Sequence, residues 1–220
     1  MKIHNLRDTN SLLGQFIKEI RSVNIQTDSL RFRYNILRIG QVMAYELSKE
    51  LDYVSVDVTT PLGVATQNIY ADKIVLATIL RAGIPFHQGF LQMFDTAQNA
   101  FLSAYRREGR NIHGEKQMEI VSEYLAAPEI SGKTLLIIDP MFATGKSMEV
   151  AYEALLTHGK PAKTHLCCVI GTEHAIEYVE KHMPSDVSIW CADIDKELDS
   201  RNYIIPGLGD AGDLCYGPKL

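Results

Sequence analysis

The chain has 220 residues and 24.7 kDa, enough to bury a core, and its 46% hydrophobic and 22% charged residues exclude disordered, collagen-like and disulfide-miniprotein classes. Lys plus Arg number 22 against 27 Asp plus Glu, a net charge of −5, so a broad nucleic-acid-binding coat is excluded while a local basic pocket for a small anion is not. Cys167, Cys168, Cys191 and Cys215 form no CxxC pair, the longest apolar run is Ile74–Leu80, and MKIHNLRD has no apolar core, so we expect reduced thiols, no signal peptide, no membrane span and a cytoplasmic location.

A first helix is predicted over 11–23, where Leu12, Leu13, Phe16, Ile17, Ile20 and Val23 fall at helical spacing behind Ser11 as a cap. A second is predicted over 30–51, through Leu30, Tyr34, Leu37, Ala44, Leu47 and Leu51, with Asp28 or Ser29 as cap. YVSVDV (53–58) alternates with period two, and TPLG (60–63) turns into the β-prone VATQNI, so a hairpin arm is expected over about 53–70. Beyond it, IVLATI (74–79), AFLSAY (100–105), TLLII (134–138), LCCVI (166–170) and VSIWCA (187–192) lack polar alternation, as strands buried on both faces do. Helical stretches at 85–94, 147–159 and 173–183 separate several of them, which argues for a parallel sheet wrapped by helices over 74–192. No repeat or interdomain linker interrupts the chain, so it is expected to form one domain.

In such sheets ligands sit beyond the carboxyl ends of the strands, which directs attention to 80–84, 105–115, 139–147 and the tail from 193. REGRNIHGEK (107–116) is polar and glycine-containing and is expected to be a mobile loop or lid. In TLLIIDPMFATGKS (134–147) an acid, Asp139, ends a strand, and a loop with Thr144, Gly145 and Ser147 leads into a helix. That N-terminus suits a phosphate through unpaired N–H groups and the helix dipole, and it also fits a plain turn capped by Ser147. The letters GKS do not make a Walker A loop, because Pro140 stands where that pattern needs glycine. In YIIPGLGDAGD (203–213), six of the eight positions 206–213 are Gly, Asp or Pro, so turns rather than strand or helix are expected there, as in a surface loop or a backbone-lined binding site. Arg81 and Arg106 each follow a predicted strand, and either alone reads as a surface arginine. His87, His113, His158, His165, His174 and His182 show no paired metal-ligand spacing and are expected on the surface or on helix faces. Trp190 is expected in the core, and Asp193 and Asp195, which could flank a site at a strand end, are expected rather to be solvated or capping acids.

DPMFATGKS (139–147) resembles the phosphoribosyl-diphosphate loop of type I phosphoribosyltransferases, and its Asp-Pro-Met-x-Ala-Thr-Gly form resembles the uracil phosphoribosyltransferases. YIIPGLGDAGD resembles the uracil-binding loop of the same family, and ILRAG (79–83) and SAYR (103–106) match its arginine motifs in the same order. The resemblance implies the α/β type I phosphoribosyltransferase fold, a central mostly parallel sheet flanked by helices, with N-terminal helices (10–51), a β-arm (about 53–70), a core (74–192) and a C-terminal hood (193–220). It implies transfer of the phosphoribosyl group of 5-phosphoribosyl-1-diphosphate to uracil, giving UMP and diphosphate. A phosphoribosyltransferase for another base, or a non-catalytic nucleotide-sensing regulator, would use the same fold.

By the same resemblance Asp139 would bind the ribose hydroxyls, within a donor site that also includes Pro140, Met141 and Phe142. Ala143, Thr144, Gly145, Lys146 and Ser147 would wrap the 5-phosphate. Arg81 and Arg106 would hold the diphosphate, with Mg2+ bridging it to the sugar and no firm protein ligand for the metal. Ile204, Gly209 and Ala211 would read uracil, and Asp210 would approach the sugar or metal. No side-chain nucleophile, nucleic acid or membrane is implied, and a homodimer or higher homo-oligomer is. Lys146 departs from the family, which usually carries a second glycine there, and 107–125 departs as well.

Overall fold

The computed structural model describes residues 1–103, 105–110, 116–121 and 124–219, with the backbone alone for 105–110 and 116–121. The chain opens with a strand that no pattern announced: β1 (Lys2–Asn5) pairs in parallel with a strand at 188–195. A short 3-10 turn (Leu6–Asp8) leads to α1 (Leu13–Arg21) and α2 (Ser29–Ser48). Both helices are shorter than their apolar periodicity suggested, the outlying Leu12 and Val23 are exposed, and so is Leu30 in the first turn of α2. Asp28 caps α2, its carboxylate accepting from the Arg31 N–H at 3.0 Å, as expected.

An ion pair joins the two helices. Arg31 donates through Nε and Nη2 to the two Glu19 oxygens at 2.9 and 2.7 Å, and Asn35 Nδ2 adds a bond at 2.7 Å. The Arg31 and Asn35 hydrogen bonds hold the Glu19 pKa down from 4.5 to about 2. A depressed carboxyl stabilises the fold above its unfolded pKa and loses that contribution as pH falls through its folded value. The stability difference between wild type and Glu19→Gln, read by urea unfolding, is therefore expected to be full above pH 4.5 and to vanish as pH falls toward about 2.

The arm is a hairpin of β2 (Tyr53–Thr60) and β3 (Gly63–Tyr70), paired from Tyr53↔Tyr70 to Thr60↔Gly63 across a two-residue loop. There follow β4 (Ile74–Leu80), α3 (Gly83–Met93), β5 (Gln98–Ser103), β6 (Tyr105–Arg110), β7 (Lys116–Val121), β8 (Leu125–Ala126), β9 (Thr134–Ile138), β10 (Met141–Phe142) and α4 (Lys146–Leu156). The chain then forms β11 (Lys163–Thr172), α5 (Glu173–His182), β12 (Ser188–Asp195), β13 (Glu197–Leu198), β14 (Ile204–Ile205) and α6 (Ala211–Tyr216). The main sheet runs β1-β12-β11-β9-β4-β5-β8, parallel except for β8, and β10 adds in parallel to β11.

The unalternating apolar runs have the physical cause anticipated. On β9, Leu136 and Ile138 pack into the core under α1, α2 and α3, while Leu135 and Ile137 pack into the core under α4 and α5. Successive side chains point to opposite faces, and both faces are covered.

Two expectations are corrected. The stretch 107–116, expected as a mobile loop or lid, is in part strand: β6 and β7 pair antiparallel from Tyr105↔Val121 to Arg110↔Lys116, and residues 111–115, with His113, lie outside the described residues. The glycine-rich 206–213 turns as expected only to Asp210, whose side chain caps α6 by accepting from the Asp213 N–H at 2.9 Å. No helix among the described residues is long and apolar enough to cross a membrane.

Candidate functional site

A cavity of about 740 Å³ opens at the carboxyl ends of β4, β5 and β9 and is closed over by the C-terminal segment. Its floor follows from the sheet. β9 ends at Asp139, the Asp139 carboxylate accepts from the Met141 N–H at 3.2 Å, and β10 ties the next two residues to β11. The buried hydroxyl of Thr172 donates to the Ala143 carbonyl at 2.8 Å while accepting from the Ala175 N–H that it caps, so one side chain fixes both the loop and the start of α5. Gly145 precedes α4 with φ 81°, and the cavity-facing residues of that turn are Gly145, Ser147 and Met148. Ser147 does not cap the helix, since Gly145 occupies that position.

Electrostatics single out Asp139. Burial pushes its carboxyl up from 3.8 to about 7, only partly offset by the Met141 N–H. Such a group in a cleft is poised for a partner that donates hydrogen bonds to an ionised oxygen. Arg81 follows β4 across a cis Leu80–Arg81 peptide, and its guanidinium is held from above: Nη2 donates to Asp213 at 3.0 Å and Nη1 to the Gly217 carbonyl at 3.3 Å.

Of the residues anticipated from sequence, Arg81, Asp139, Met141, Phe142, Ala143, Thr144, Gly145, Ser147, Ile204, Gly209, Asp210 and Ala211 all line this one cavity. Pro140 is buried behind the loop, and Lys146 is exposed outside the lining. Arg106 lies on β6, and its side chain is outside the described residues. Sequence reasoning missed Ser103, Arg201, Asn202, Tyr203, Gly212 and Lys219. A signal existed for 201–203: Asp199 folds that turn by accepting from the Arg201 and Tyr203 N–H groups at 2.8 Å each, and Asn202 takes φ 61°, a region Asn tolerates.

The acids behind the site overturn their sequence reading. Asp193 and Asp195 are 3% and 5% exposed, not solvated. Arg21 bridges both, Nη2 to Asp193 at 2.8 Å and Nη1 to Asp195 at 2.7 Å. Burial works against the Arg21 charge, yet the bonds to Asp195 and Asp193 outweigh it and raise its pKa. His87 lies on α3, a helix as anticipated, but on its buried face, and His165 is buried on β11; burial lowers both, His165 to about 4. His165 accepts from Trp190 Nε1 at 3.2 Å, and Trp190 stacks on His4 within the core as expected. The four cysteines are free and buried. Among the described residues no three His, Cys, Asp or Glu side chains gather as a metal cage.

Comparison with known proteins bears on what this cavity holds. The family model described as uracil phosphoribosyltransferase matches residues 9–218. A curated uracil phosphoribosyltransferase of Porphyromonas gingivalis is 51% identical over 220 residues, covering 100% of both chains. One of Sulfolobus acidocaldarius is 35% identical over 211 residues, covering 94% of this chain and 96% of its own. Among solved structures, the AQ2163 protein from Aquifex aeolicus is similar with a TM-score of 0.82 and 31% identity, covering 98% of each chain.

Proposed function

The chain belongs to the uracil phosphoribosyltransferase family, a branch of the type I phosphoribosyltransferases, and we infer its reaction from that membership. It is a pentosyltransferase of pyrimidine salvage that moves the phosphoribosyl group of 5-phosphoribosyl-1-diphosphate to uracil, giving UMP and diphosphate. The assignment of roles to residues rests on one observation: the 139–147 loop and the 204–212 loop share a cavity.

In our reading the backbone of Ala143, Thr144, Gly145, Lys146 and Ser147, with the Thr144 and Ser147 hydroxyls, cradles the 5-phosphate at the N-terminus of α4. Asp139, once ionised, accepts from the ribose hydroxyls. Arg81 and Arg106 take the diphosphate, a task suited to a guanidinium that keeps its charge. Diphosphate departure leaves oxocarbenium character on the sugar, so positioning and neutralisation of the departing charge carry the rate, with no nucleophilic side chain. Backbone groups of Ile204, Gly209 and Ala211 present a fixed donor and acceptor pattern, which rejects cytosine by leaving buried groups unpaired.

Mg2+ would be held mainly by the substrate diphosphate, with the carboxylates of Asp139 and Asp210 in the same cavity as the oxygen donors nearest to hand, and when bound it would neutralise diphosphate charge. We also read 193–220 as a hood on a single domain, the protein as cytoplasmic, and its partners as its two substrates rather than nucleic acid or membrane.

Turnover measured with uracil, cytosine, hypoxanthine and orotate tests the reading, with activity expected on uracil alone. Turnover on another base would reassign the substrate, and donor binding without turnover on any base would make the protein a sensor. Lys146 is exposed and does not line the cavity, so Lys146→Gly is expected to change donor affinity by less than about tenfold, roughly 1.4 kcal/mol. A rescue from near-zero activity by that change would show the lysine-bearing loop to be impaired.

The arm supports a homodimer. Tyr53, Val54, Val58, Val64 and Ile69 are exposed along it, Leu62 at its tip is 100% exposed, and a two-stranded hairpin is marginal without cover. Light scattering after gel filtration is expected to give at least twice the chain mass, and Leu62→Asp to shift it toward 24.7 kDa.

A further inference from the structure

The buried ion cluster at the end of β12 does more than satisfy its own charges, because it reaches the backbone of the base loop. Arg21 Nη1 donates to the Gly207 carbonyl at 2.9 Å, and the Gly207 N–H donates to Asp195 Oδ2 at 2.9 Å. Arg21 and Asp195 are themselves joined by two bonds, Nη1 to Oδ2 at 2.7 Å and Nη2 to Oδ1 at 2.9 Å. One glycine is thus gripped at both its donor and its acceptor by a planar, charge-assisted pair. Gly207 takes φ 55° and folds back so closely that a Cβ would stand 2.1 Å from the Ile204 carbonyl oxygen. Gln26, with its amide turned to donate, reaches the next carbonyl, Leu208, at 3.0 Å and ties it to the Ile20 carbonyl at 2.8 Å.

We propose that Arg21 and Asp195 are positioning residues for the base: a clamp from α1 and β12 that sets the backbone donor and acceptor pattern of the 204–211 loop. The inference rests on the reading of Ile204, Gly209 and Ala211 as the groups that meet uracil, which lie on either side of the clamped residue. A loop that recognises its ligand by backbone atoms has no side chain to readjust, so a displacement of about 1 Å at Gly207 passes directly into recognition. Neither clamp residue lines the cavity, and the side-chain hydrogen bonds that both make to the base loop go to Gly207. The 139–147 loop takes its own hydrogen bonds from Thr172 and the β10–β11 pairing and none from Arg21 or Asp195, so the clamp's effect is expected mainly on the base.

Arg21→Lys keeps the charge that Asp193 and Asp195 require but loses the fork, which makes it a test of geometry rather than of charge burial. Its uracil KM is expected to rise by about tenfold or more, with donor KM and kcat within about threefold of wild type. Arg7→Lys is the control, since Arg7 pairs with Asp193 and touches no part of the loop, and its uracil KM is expected to be unchanged. Hydrogen exchange at the Gly207 amide, which needs no turnover, is expected to quicken by about tenfold in Arg21→Lys and not in Arg7→Lys.

A uracil KM within about twofold of wild type in Arg21→Lys, or a donor KM rising by the same factor as the uracil KM, overturns the proposal. Should Arg21→Lys fail to fold, Asp195→Asn, which keeps an oxygen for the Gly207 N–H while dropping the charge that Arg21 holds, is judged on the same split. If the wild type turns over no uracil, the functional reading fails on its own account. Unchanged Gly207 exchange would then dispose of the clamp as well, and quickened exchange would retain it for whatever ligand the loop binds.

Discussion

Asp139→Asn is expected to make the empty protein more stable at pH 8 while lowering kcat/KM for the phosphoribosyl donor by about a hundredfold. Both effects come from one carboxyl group in the wrong solvent. Burial raises its pKa from 3.8 to about 7, so between those values the folded chain holds a proton that the unfolded chain has released. Stability from this group therefore falls as pH rises through that window and is flat above it. At roughly 1.4 kcal/mol per pH unit the full penalty is about 4 kcal/mol, and partial access to water from the cavity brings the expected gain for Asn to about 2 kcal/mol. Asn retains an oxygen for the Met141 N–H, so the loop keeps its local bond.

The activity loss has the opposite origin. In the proposed role, two hydrogen bonds from ribose hydroxyls to an ionised Asp139 would contribute about 3 kcal/mol together, and Asn would offer a neutral acceptor in their place. The wild-type kcat/KM profile for the donor is expected to carry an acid limb near pH 7, absent in the variant. Unfolding curves at pH 4 to 8 for both proteins separate the terms. Parallel stability curves would show that Asp139 is ordinarily ionised, and an unaltered kcat/KM would remove it from the sugar site. If both results hold, Asp139 gives up stability for the ligand the proposal assigns to it, a usual trade at a binding site.

How far the sequence exposes this arrangement depends on the range of the interactions involved. The central strands were legible because double-sided burial leaves a local mark: Leu135 and Leu136 point to opposite cores, and neither position tolerates polarity. The 139–147 loop was legible because Asp139, Gly145 and the start of α4 are neighbours in the chain. The acids at 193 and 195 were not, since their burial depends on Arg21, 172 and 174 residues away, which no local window contains. β1 escaped for a related reason: an edge strand needs pairing from one side only, and Lys2–Asn5 carries too few apolar residues to signal it. Residues 105–121 escaped because glycine and charge at 107–110 hide a strand whose partner is another polar segment.

Gly145→Ala is expected to cost about 2 kcal/mol of stability and to raise donor KM by about a hundredfold, with uracil KM little changed. Two constraints meet at this glycine. Its φ of 81° lies where an L side chain costs about 1 kcal/mol, and a Cβ would stand 2.9 Å from the Tyr178 ring and 3.0 Å from the Ala175 carbonyl oxygen. The ring can tilt, although its hydroxyl is anchored to Glu149 at 2.6 Å, whereas the carbonyl belongs to α5 and cannot yield without moving the helix. The loop must instead lift away from α5, taking with it the first turn of α4, whose N–H groups are the proposed seat of the 5-phosphate. Gly145→Asn separates the two constraints. Asn tolerates positive φ, so a milder effect than Ala would assign the cost to the dihedral, and an equal or larger one to the contact with α5. The base loop stands on β14 and α6, apart from this contact, so the loss is expected in donor KM alone. A parallel rise in uracil KM would mean that the two halves of the cavity move as one body, and a donor KM within about twofold of wild type would remove Gly145 from the phosphate site.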